Sequence, residues 1–189
     1  MTIVPAHIND RGKRMALSSR LKRAYGSGAA LVALVCLGTG LALAQSAELP
    51  NRHDALKDIT TAGQPSAAAL SAVAAAGYKT VIDLRGPNED RGLDEKKTVE
   101  GLGMSYVNLP VNGASGVSYE NANALDRLLA NAPKPVLLHC ASSNRVGALL
   151  ALREKLKGAD SEKALDLGVA SGLSSLKPAV EKKLEAGHD

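Results

Sequence analysis

The chain has 189 residues, 45% of them hydrophobic, with no Trp, no Phe and four Tyr, which suggests one domain with a core of aliphatic residues. Its formal net charge of +4 arises in residues 1–44, which hold six basic residues and one acidic residue, whereas 17 basic and 18 acidic residues nearly balance over 45–189. A nucleic-acid-binding domain carries its basic charge on the folded part, so we exclude nucleic acid as a partner.

The first 44 residues have the pattern of an export signal. A basic stretch ends at Arg23, an uncharged apolar run of 19 residues extends over 26–44, and the run closes on the small-x-small sequence Ala42-Leu43-Ala44. We predict a signal peptide over 1–44 and a periplasmic or secreted protein without stable membrane association. An uncleaved N-terminal anchor is the alternative, because 19 apolar residues are close to the length that spans a bilayer.

The remaining sequence predicts a linker over 45–57, which is polar and contains Pro50, and one domain over 58–189. Within that domain a short β-prone run covers 59–62, and Ser66 is placed to cap a helix over 67–76. A β-branched strand follows over 79–85, and then a charged helix over about 92–102.

The second half of the domain continues the alternation of strands and helices. We predict a strand over 104–111, an amphipathic helix over 119–130, and a short apolar strand over 134–139 that fits a central place in a parallel sheet. Helices are predicted over 146–157, 160–170 and 176–186. The fold class is therefore α/β, with a small and mostly parallel central sheet flanked by helices.

The segment from His139 to Arg145 is the candidate functional site, because it joins a central strand to a helix. Ligands of parallel sheets bind beyond the carboxyl ends of the strands. The backbone N–H groups of a small polar loop and a helix N-terminus can bind an oxyanion there, and Arg145 offers a planar guanidinium to it. The same groups favour Cys140 as a reactive thiolate. The predicted binding residues besides Arg145 are His139, Ala141, Ser142, Ser143 and Asn144.

The stretch from about Ile59 to Leu184 resembles the beta-lactamase-hydrolase-like, phosphatase-like domain family, within the protein tyrosine and dual-specificity phosphatase superfamily. The residues that carry the resemblance are Gly63-Gln64-Pro65-Ser66, Thr80 to Arg85 with Glu89, Tyr106 to Val111, His139-Cys140-x-Ser142-x-x-Arg145, and Gly172 to Leu176. The resemblance implies a cysteine-phosphatase fold. It also implies that Cys140 forms a phosphocysteine, that Arg145 holds the phosphoryl oxygens, and that His139 supports the thiolate through the loop.

Several residues depart from the pattern of the wider superfamily. Four residues separate Cys140 from Arg145, where tyrosine phosphatases have five, and Ser143 replaces the usual loop glycine. The loop over 110–116 contains no carboxylate, and Asn112 stands where a general acid is expected. Asp83, Glu89 and Asp90, at or after another strand end, could reach the site. Asp83 is our candidate catalytic residue among them, with a structural Asp83–Arg85 ion pair as the alternative.

Three functions stay open at this point. The first is a cysteine-dependent phosphatase for phosphomonoesters, including phosphotyrosine or other aryl phosphates, with a phosphorylated substrate as its partner. The second, suggested by the four-residue spacing, is a rhodanese-like sulfurtransferase or persulfide carrier. The third is a module that binds a small oxyanion without catalysis. No cofactor is expected, and the His and Cys spacings give no metal site.

Overall fold

The structure is a computed structural model that describes residues 47–187, and its elements alternate between strands and helices. In chain order they are β1 (His53–Leu56), β2 (Ile59–Ala62), α1 (Ala67–Ala75), β3 (Thr80–Asp83), α2 (Glu95–Gly101), β4 (Ser105–Asn108), α3 (Tyr119–Asn131), β5 (Val136–His139), α4 (Asn144–Leu156), α5 (Ser161–Ala170) and α6 (Lys177–Ala186). The predicted succession of elements after residue 58 is confirmed, with ends that differ by a few residues.

The five strands form one sheet in the order β1-β2-β5-β3-β4. The strands β2, β5, β3 and β4 are parallel, and only the edge strand β1 is antiparallel to its neighbour. The predicted α/β fold with a small, mostly parallel sheet is therefore confirmed. The apolar strand β5 lies in the middle and all four of its residues are buried, as its composition indicates.

The two faces of the sheet build two separate hydrophobic clusters, because side chains alternate along each strand. Val81 and Leu137 point to the face covered by α1 and α2. Ile82 and Leu138 point to the opposite face, where residues of α3, α4, α5 and α6 pack against them. The site described below lies at the carboxyl edge of this three-layered arrangement.

Local capping residues determine where several helices begin. The hydroxyl of Ser66 accepts a hydrogen bond from the Ala69 amide at 3.1 Å, which confirms the predicted cap of α1. The Asp94 carboxylate accepts from the Lys97 amide at 3.2 Å, so α2 begins at Glu95 and not near residue 92 as predicted.

The predicted linker over 45–57 needs a correction, because part of it belongs to the folded domain. Residues 53–56 form β1, and the Pro50 carbonyl accepts a hydrogen bond from the Gly63 amide at 2.7 Å. β1 is an edge strand with exposed residues, so its polar and apolar residues alternate only weakly. The sequence pattern therefore did not predict this strand. The predicted signal peptide lies outside the described residues. Within 47–187, none of the helices combines the length and apolar character needed to span a membrane.

Candidate active site

The loop from Cys140 to Ser143 lies over the middle of the sheet edge. Cys140 directly follows β5, which has β2 on one side and β3 on the other, and α4 begins at Asn144. The Cys140 amide donates to the Ala62 carbonyl at 3.3 Å, and the Gln64 amide donates to the Ala141 carbonyl at 3.1 Å. The continuation of β2 thus fixes the first half of the loop. The Cys140 side chain is buried, whereas Ala141 and Ser142 are exposed.

Ser143 occupies a left-handed backbone position in the loop, with φ of 67°. Such a position costs a non-glycine residue roughly 1–2 kcal/mol. Its hydroxyl donates to the Ser171 carbonyl at 3.0 Å, and the Thr61 hydroxyl donates to the same carbonyl at 3.0 Å. A β-carbon added at Gly172 would come within 2.6 Å of Ser143 Cβ, so Gly172 provides the space for this side chain. The loop backbone therefore adopts at Ser143 a conformation that usually requires glycine, and a buried hydrogen bond from the Ser143 hydroxyl stabilises it.

Asn144 joins the second half of the loop to the segment between α5 and α6. Its Oδ1 accepts from the Ser174 amide at 2.8 Å and from the Leu176 amide at 3.3 Å, and its Nδ2 donates to Ser175 Oγ at 2.7 Å. The side chain predicted to bind substrate is thus occupied with holding this segment against α4. For Asn144, only the backbone amide remains available for an oxyanion.

Arg145 lies beside Cys140 and is held in place by the loops that follow β3 and β4. Its guanidinium donates to both carboxylate oxygens of Glu89, at 2.5 and 2.7 Å, and to the Val111 carbonyl at 3.0 Å. The hydrogen bonds to Glu89 raise the pKa of Arg145; burial opposes this, and the charge and hydrogen bond of the Cys140 side chain add to the rise. The structure thus brings the predicted nucleophile and the predicted anion-binding cation together.

Glu89, one of the carboxylates expected within reach of the site, is the ion-pair partner of Arg145. The hydrogen bond from Arg145 lowers the pKa of Glu89, outweighing its partial burial, and Glu89 also accepts from the Gly86 amide at 2.7 Å. An ionised carboxylate has no proton to donate, so Glu89 acts here as the partner that orients Arg145. Its place shortly after the carboxyl end of a strand was the sequence signal that pointed to it.

Asp83 lies in a buried ion-pair cluster and not at an accessible position. Its carboxylate accepts from Arg85 Nε at 2.9 Å, from Arg91 Nε at 2.8 Å and from the Tyr106 hydroxyl at 2.9 Å. Burial alone would raise the pKa of Asp83, but the hydrogen bonds from Arg85 and the charges of His139 and Arg85 outweigh it and lower the pKa. An ionised, fully buried Asp83 fits the structural ion pair, and we do not retain Asp83 as the catalytic acid.

His139 lies beneath the loop in the same cluster. Its ring is fully buried, and Nε2 lies 2.7 Å from Glu95 Oε1 and 4.0 Å from Asp83 Oδ1. Arg85 also donates to Glu95, which is 1% exposed at the start of α2. Since no part of the ring reaches the surface, His139 supports the loop from below rather than contacting a ligand.

Among the described residues, this cluster contains the group of side chains whose spacing could hold a metal ion. Donor atoms of Asp83, Glu95 and His139 lie within 4.8 Å of one another. The Arg85 guanidinium, however, already donates to both carboxylates. A metal ion would have to displace this internal cation, so the donor set suits an arginine better than a metal.

The loop over 110–116 lies next to Arg145 but brings no acid with it. The Val111 carbonyl bonds Arg145, and the following residue, Asn112, is exposed. A β-carbon added at Gly86 would come within 2.8 Å of Asn112 Oδ1, so the Asn112 side chain rests on the turn that carries Glu89. The position expected for a proton donor is therefore occupied by an amide, which does not act as an acid.

Comparison with known proteins relates this chain to a family of phosphatases. The family described as "DSP-PTPase phosphatase fused to NAD+ Kinase" matches residues 41–182. A "Beta-lactamase hydrolase-like protein" of Agrobacterium fabrum (strain C58) is 33% identical over 104 residues, which are 53% of this chain and 24% of that protein. A relative of the same description from Xylella fastidiosa (strain Temecula1) is 31% identical over 104 residues, with the same coverage. The chain thus spans about a quarter of the length of these relatives.

Solved structures show the same fold at lower sequence identity. A candidate phosphatase from Neisseria meningitidis Z2491 aligns with a TM-score of 0.60 and 20% identity, over 73% of this chain and 99% of that one. A cysteine-to-serine variant of P. aeruginosa TpbA, crystallised with pTyr, aligns with a TM-score of 0.55 and 19% identity, over 73% and 91% of the two chains. The chain belongs to the DSP-PTPase phosphatase family, within the protein tyrosine and dual-specificity phosphatase superfamily.

Proposed function

We propose that the protein is an exported cysteine-dependent phosphatase that hydrolyses phosphomonoesters through a phosphocysteine on Cys140. The observation that carries the proposal is the placement of Arg145 beside Cys140, fixed by a two-point contact with Glu89. A guanidinium held in this way is oriented before substrate arrives, so its interaction with the phosphoryl oxygens requires little reorganisation.

The first chemical step transfers the phosphoryl group to sulfur. The Cys140 thiolate attacks phosphorus, a P–S bond forms, and the P–O bond to the leaving group breaks with its electron pair on oxygen. The N-terminus of α4 and Arg145 stabilise the negative charge on the phosphoryl oxygens. Because neither Glu89 nor Asn112 can donate a proton, the leaving oxygen takes its proton from solvent.

The second step returns the enzyme to its starting state. Water attacks phosphorus, the P–S bond breaks with its electron pair on sulfur, and the proton released from water goes to solvent. The products are orthophosphate and the Cys140 thiolate. Val146, the residue after Arg145, has no hydroxyl that could assist the departing thiolate. The sulfur therefore has to leave as a thiolate that its surroundings already stabilise.

This chemistry favours substrates with stable leaving groups. A phenolate departs readily without protonation, whereas an alkoxide does so poorly, because the pKa of the corresponding alcohol is much higher. We therefore propose aryl phosphates, including phosphotyrosine, as the substrate class, and the pTyr complex of TpbA supports this choice. The N-terminal signal pattern supports a periplasmic or secreted location after cleavage.

The test compares the wild type with two variants on p-nitrophenyl phosphate and on an alkyl phosphate. We expect turnover of the aryl ester, loss of turnover in Cys140→Ser, and a decrease of about 10²–10³ in kcat/KM for Arg145→Lys, which keeps the charge but loses the planar two-point contact. A wild type that turns over neither ester at any pH between 5 and 8 would refute the proposal.

The sulfurtransferase hypothesis rests on the four-residue spacing between Cys140 and Arg145, and it has its own test. Exposure of the protein to thiosulfate would add one sulfur to Cys140, which intact mass measurement detects. The oxyanion-binding hypothesis instead predicts phosphate binding that depends on Arg145 without any turnover. We favour the phosphatase because the family match covers residues 41–182, which include the whole loop.

A further inference from the structure

We propose that Leu176 is a specificity-determining residue, which packs against the aryl leaving group in the cleft beside Arg145. This inference rests on the proposed function, since it names the place where that substrate's leaving group lies. It assigns a role to the segment between α5 and α6, to which neither the sequence patterns nor the chemistry of the loop gave one.

Two clefts flank the catalytic loop, one on each side. The Arg145 cleft has a volume of about 350 Å³ and is lined by Glu89, Gly113, Ser142, Asn144, Arg145 and Leu176. The Arg91 cleft has about 360 Å³ and is lined by Pro50, Gln64, Pro65, Ser66, Arg91, Gly92, Leu93 and Ala141. Both have room for an aromatic ring, so their volumes alone do not distinguish them.

The position of each cation relative to Cys140 distinguishes the two clefts. In the Arg91 cleft, the Arg91 guanidinium is committed to Asp83 and to the carbonyls of Arg85, Gly86 and Glu89. In the Arg145 cleft, the guanidinium also has partners, Glu89 and the Val111 carbonyl, but it lies beside the Cys140 side chain, where the phosphoryl group must sit during attack. A phosphate held between Cys140 and Arg145 therefore directs its ester substituent into the Arg145 cleft.

Leu176 is the one apolar side chain larger than a methyl group that lines the Arg145 cleft, and its position is fixed. The Asn144 side chain accepts hydrogen bonds from the amides of Ser174 and Leu176 and donates to Ser175 Oγ. Asn144 is the first residue of α4 and adjoins Arg145 in the chain. The loop and the Leu176 wall are thus parts of one connected unit, which keeps the distance between the phosphate site and the apolar surface constant.

Gly113 leaves room in the cleft for a planar group beside Leu176. Gly113, also in the lining, has no side chain, and a β-carbon there would meet no atom within 4 Å. A half-buried Leu176 loses further water contact when an aromatic ring covers it, which favours binding of that ring. A surface that favours an aryl group is also consistent with a site that has no general acid, because a phenolate leaves without being protonated.

The test measures binding in the Cys140→Ser background, so it does not depend on turnover. The probes are 2-naphthyl phosphate, which fills the cleft, and orthophosphate, which occupies only the loop. In Leu176→Ala we expect the affinity for 2-naphthyl phosphate to fall about five- to tenfold relative to orthophosphate, because the lost apolar contact affects only the ester. Leu176→Met, which retains an apolar side chain of similar volume, should restore most of the ratio.

Leu93→Ala is the matched control, because Leu93 lines the Arg91 cleft. It should leave the ratio of the two affinities within twofold of the parent. The inference is overturned if Leu176→Ala leaves that ratio unchanged, or if Leu93→Ala is the variant that lowers it. Either result is distinct from failure of the proposed function, which would appear as absence of turnover in the wild type while both probes still bind.

Discussion

Two carboxylate–arginine clusters lie next to the catalytic loop, and they differ in exposure more than in chemistry. Beneath the loop, Asp83, Arg85 and Glu95 have no exposed side-chain surface. Beside the loop, Arg145 is 11% and Glu89 36% exposed. The buried cluster cannot exchange its partners for a ligand, whereas the open pair can, so burial separates a structural ion pair from a binding one.

The first test of this comparison removes Arg85, the central cation of the buried cluster. Arg85→Met leaves Glu95 without its guanidinium partner in the core and leaves Asp83 with Arg91 as its remaining arginine partner, and we expect a loss of about 3–5 kcal/mol in the free energy of unfolding. Urea denaturation measures the change. This is a large part of the stability of a domain of this size.

The matched control for that variant is Arg153→Met. Arg153 donates to Asp126 at 2.7 Å, but the Asp126 side chain is 36% exposed, so water can replace the contact. We expect a loss of no more than about 1 kcal/mol. Equal losses for Arg85→Met and Arg153→Met would show that burial does not distinguish the clusters as we describe.

The second prediction concerns the open pair. Glu89→Gln removes the charge that orients Arg145 but keeps a side chain of the same shape, so kcat/KM for an aryl phosphate should fall about tenfold. The free energy of unfolding should change by less than about 1 kcal/mol, because the pair is partly exposed. A large loss of stability with unchanged kcat/KM would reverse the roles that we assign to the two clusters.

The smallest expected effect is a dependence of stability on acid pH. The pKa of Asp83 is lowered in the folded protein, so its contribution to stability is present above its unfolded pKa of about 3.9 and is lost as pH falls through the folded value. The difference in the free energy of unfolding between wild type and Asp83→Asn should therefore be constant from pH 5 to 7 and shrink below about pH 4. A difference that grows on acidification would contradict the ionised state of Asp83.

The sequence predicted the parts of this molecule that depend on local patterns. The apolar run of β5, the small polar loop and Arg145 follow one another in the chain, so their common location at the sheet edge could be inferred without a structure. The cap at Ser66 was predictable for the same reason, since its partner is the amide three residues later.

The parts that escaped prediction depend on contacts between distant residues. Ser143 and Ser171 are 28 positions apart, and Glu89 and Arg145 are 56 positions apart, so no local pattern relates them. The role of Asp83 depended on its burial beneath the loop, which a strand-end position does not reveal. The edge strand β1 was missed because its pairing with β2, and not its own composition, makes it a strand.

The central claim is that Cys140 is a thiolate stabilised by Arg145 and the loop, and its alkylation rate tests this most directly. In a Cys36→Ser variant only Cys140 can react with iodoacetamide. We predict that the wild type is alkylated faster than Arg145→Ala at pH 6, because the guanidinium favours the reactive thiolate, and that bound orthophosphate slows the wild-type reaction. Equal alkylation rates in the wild type and Arg145→Ala, both insensitive to orthophosphate, would contradict the account.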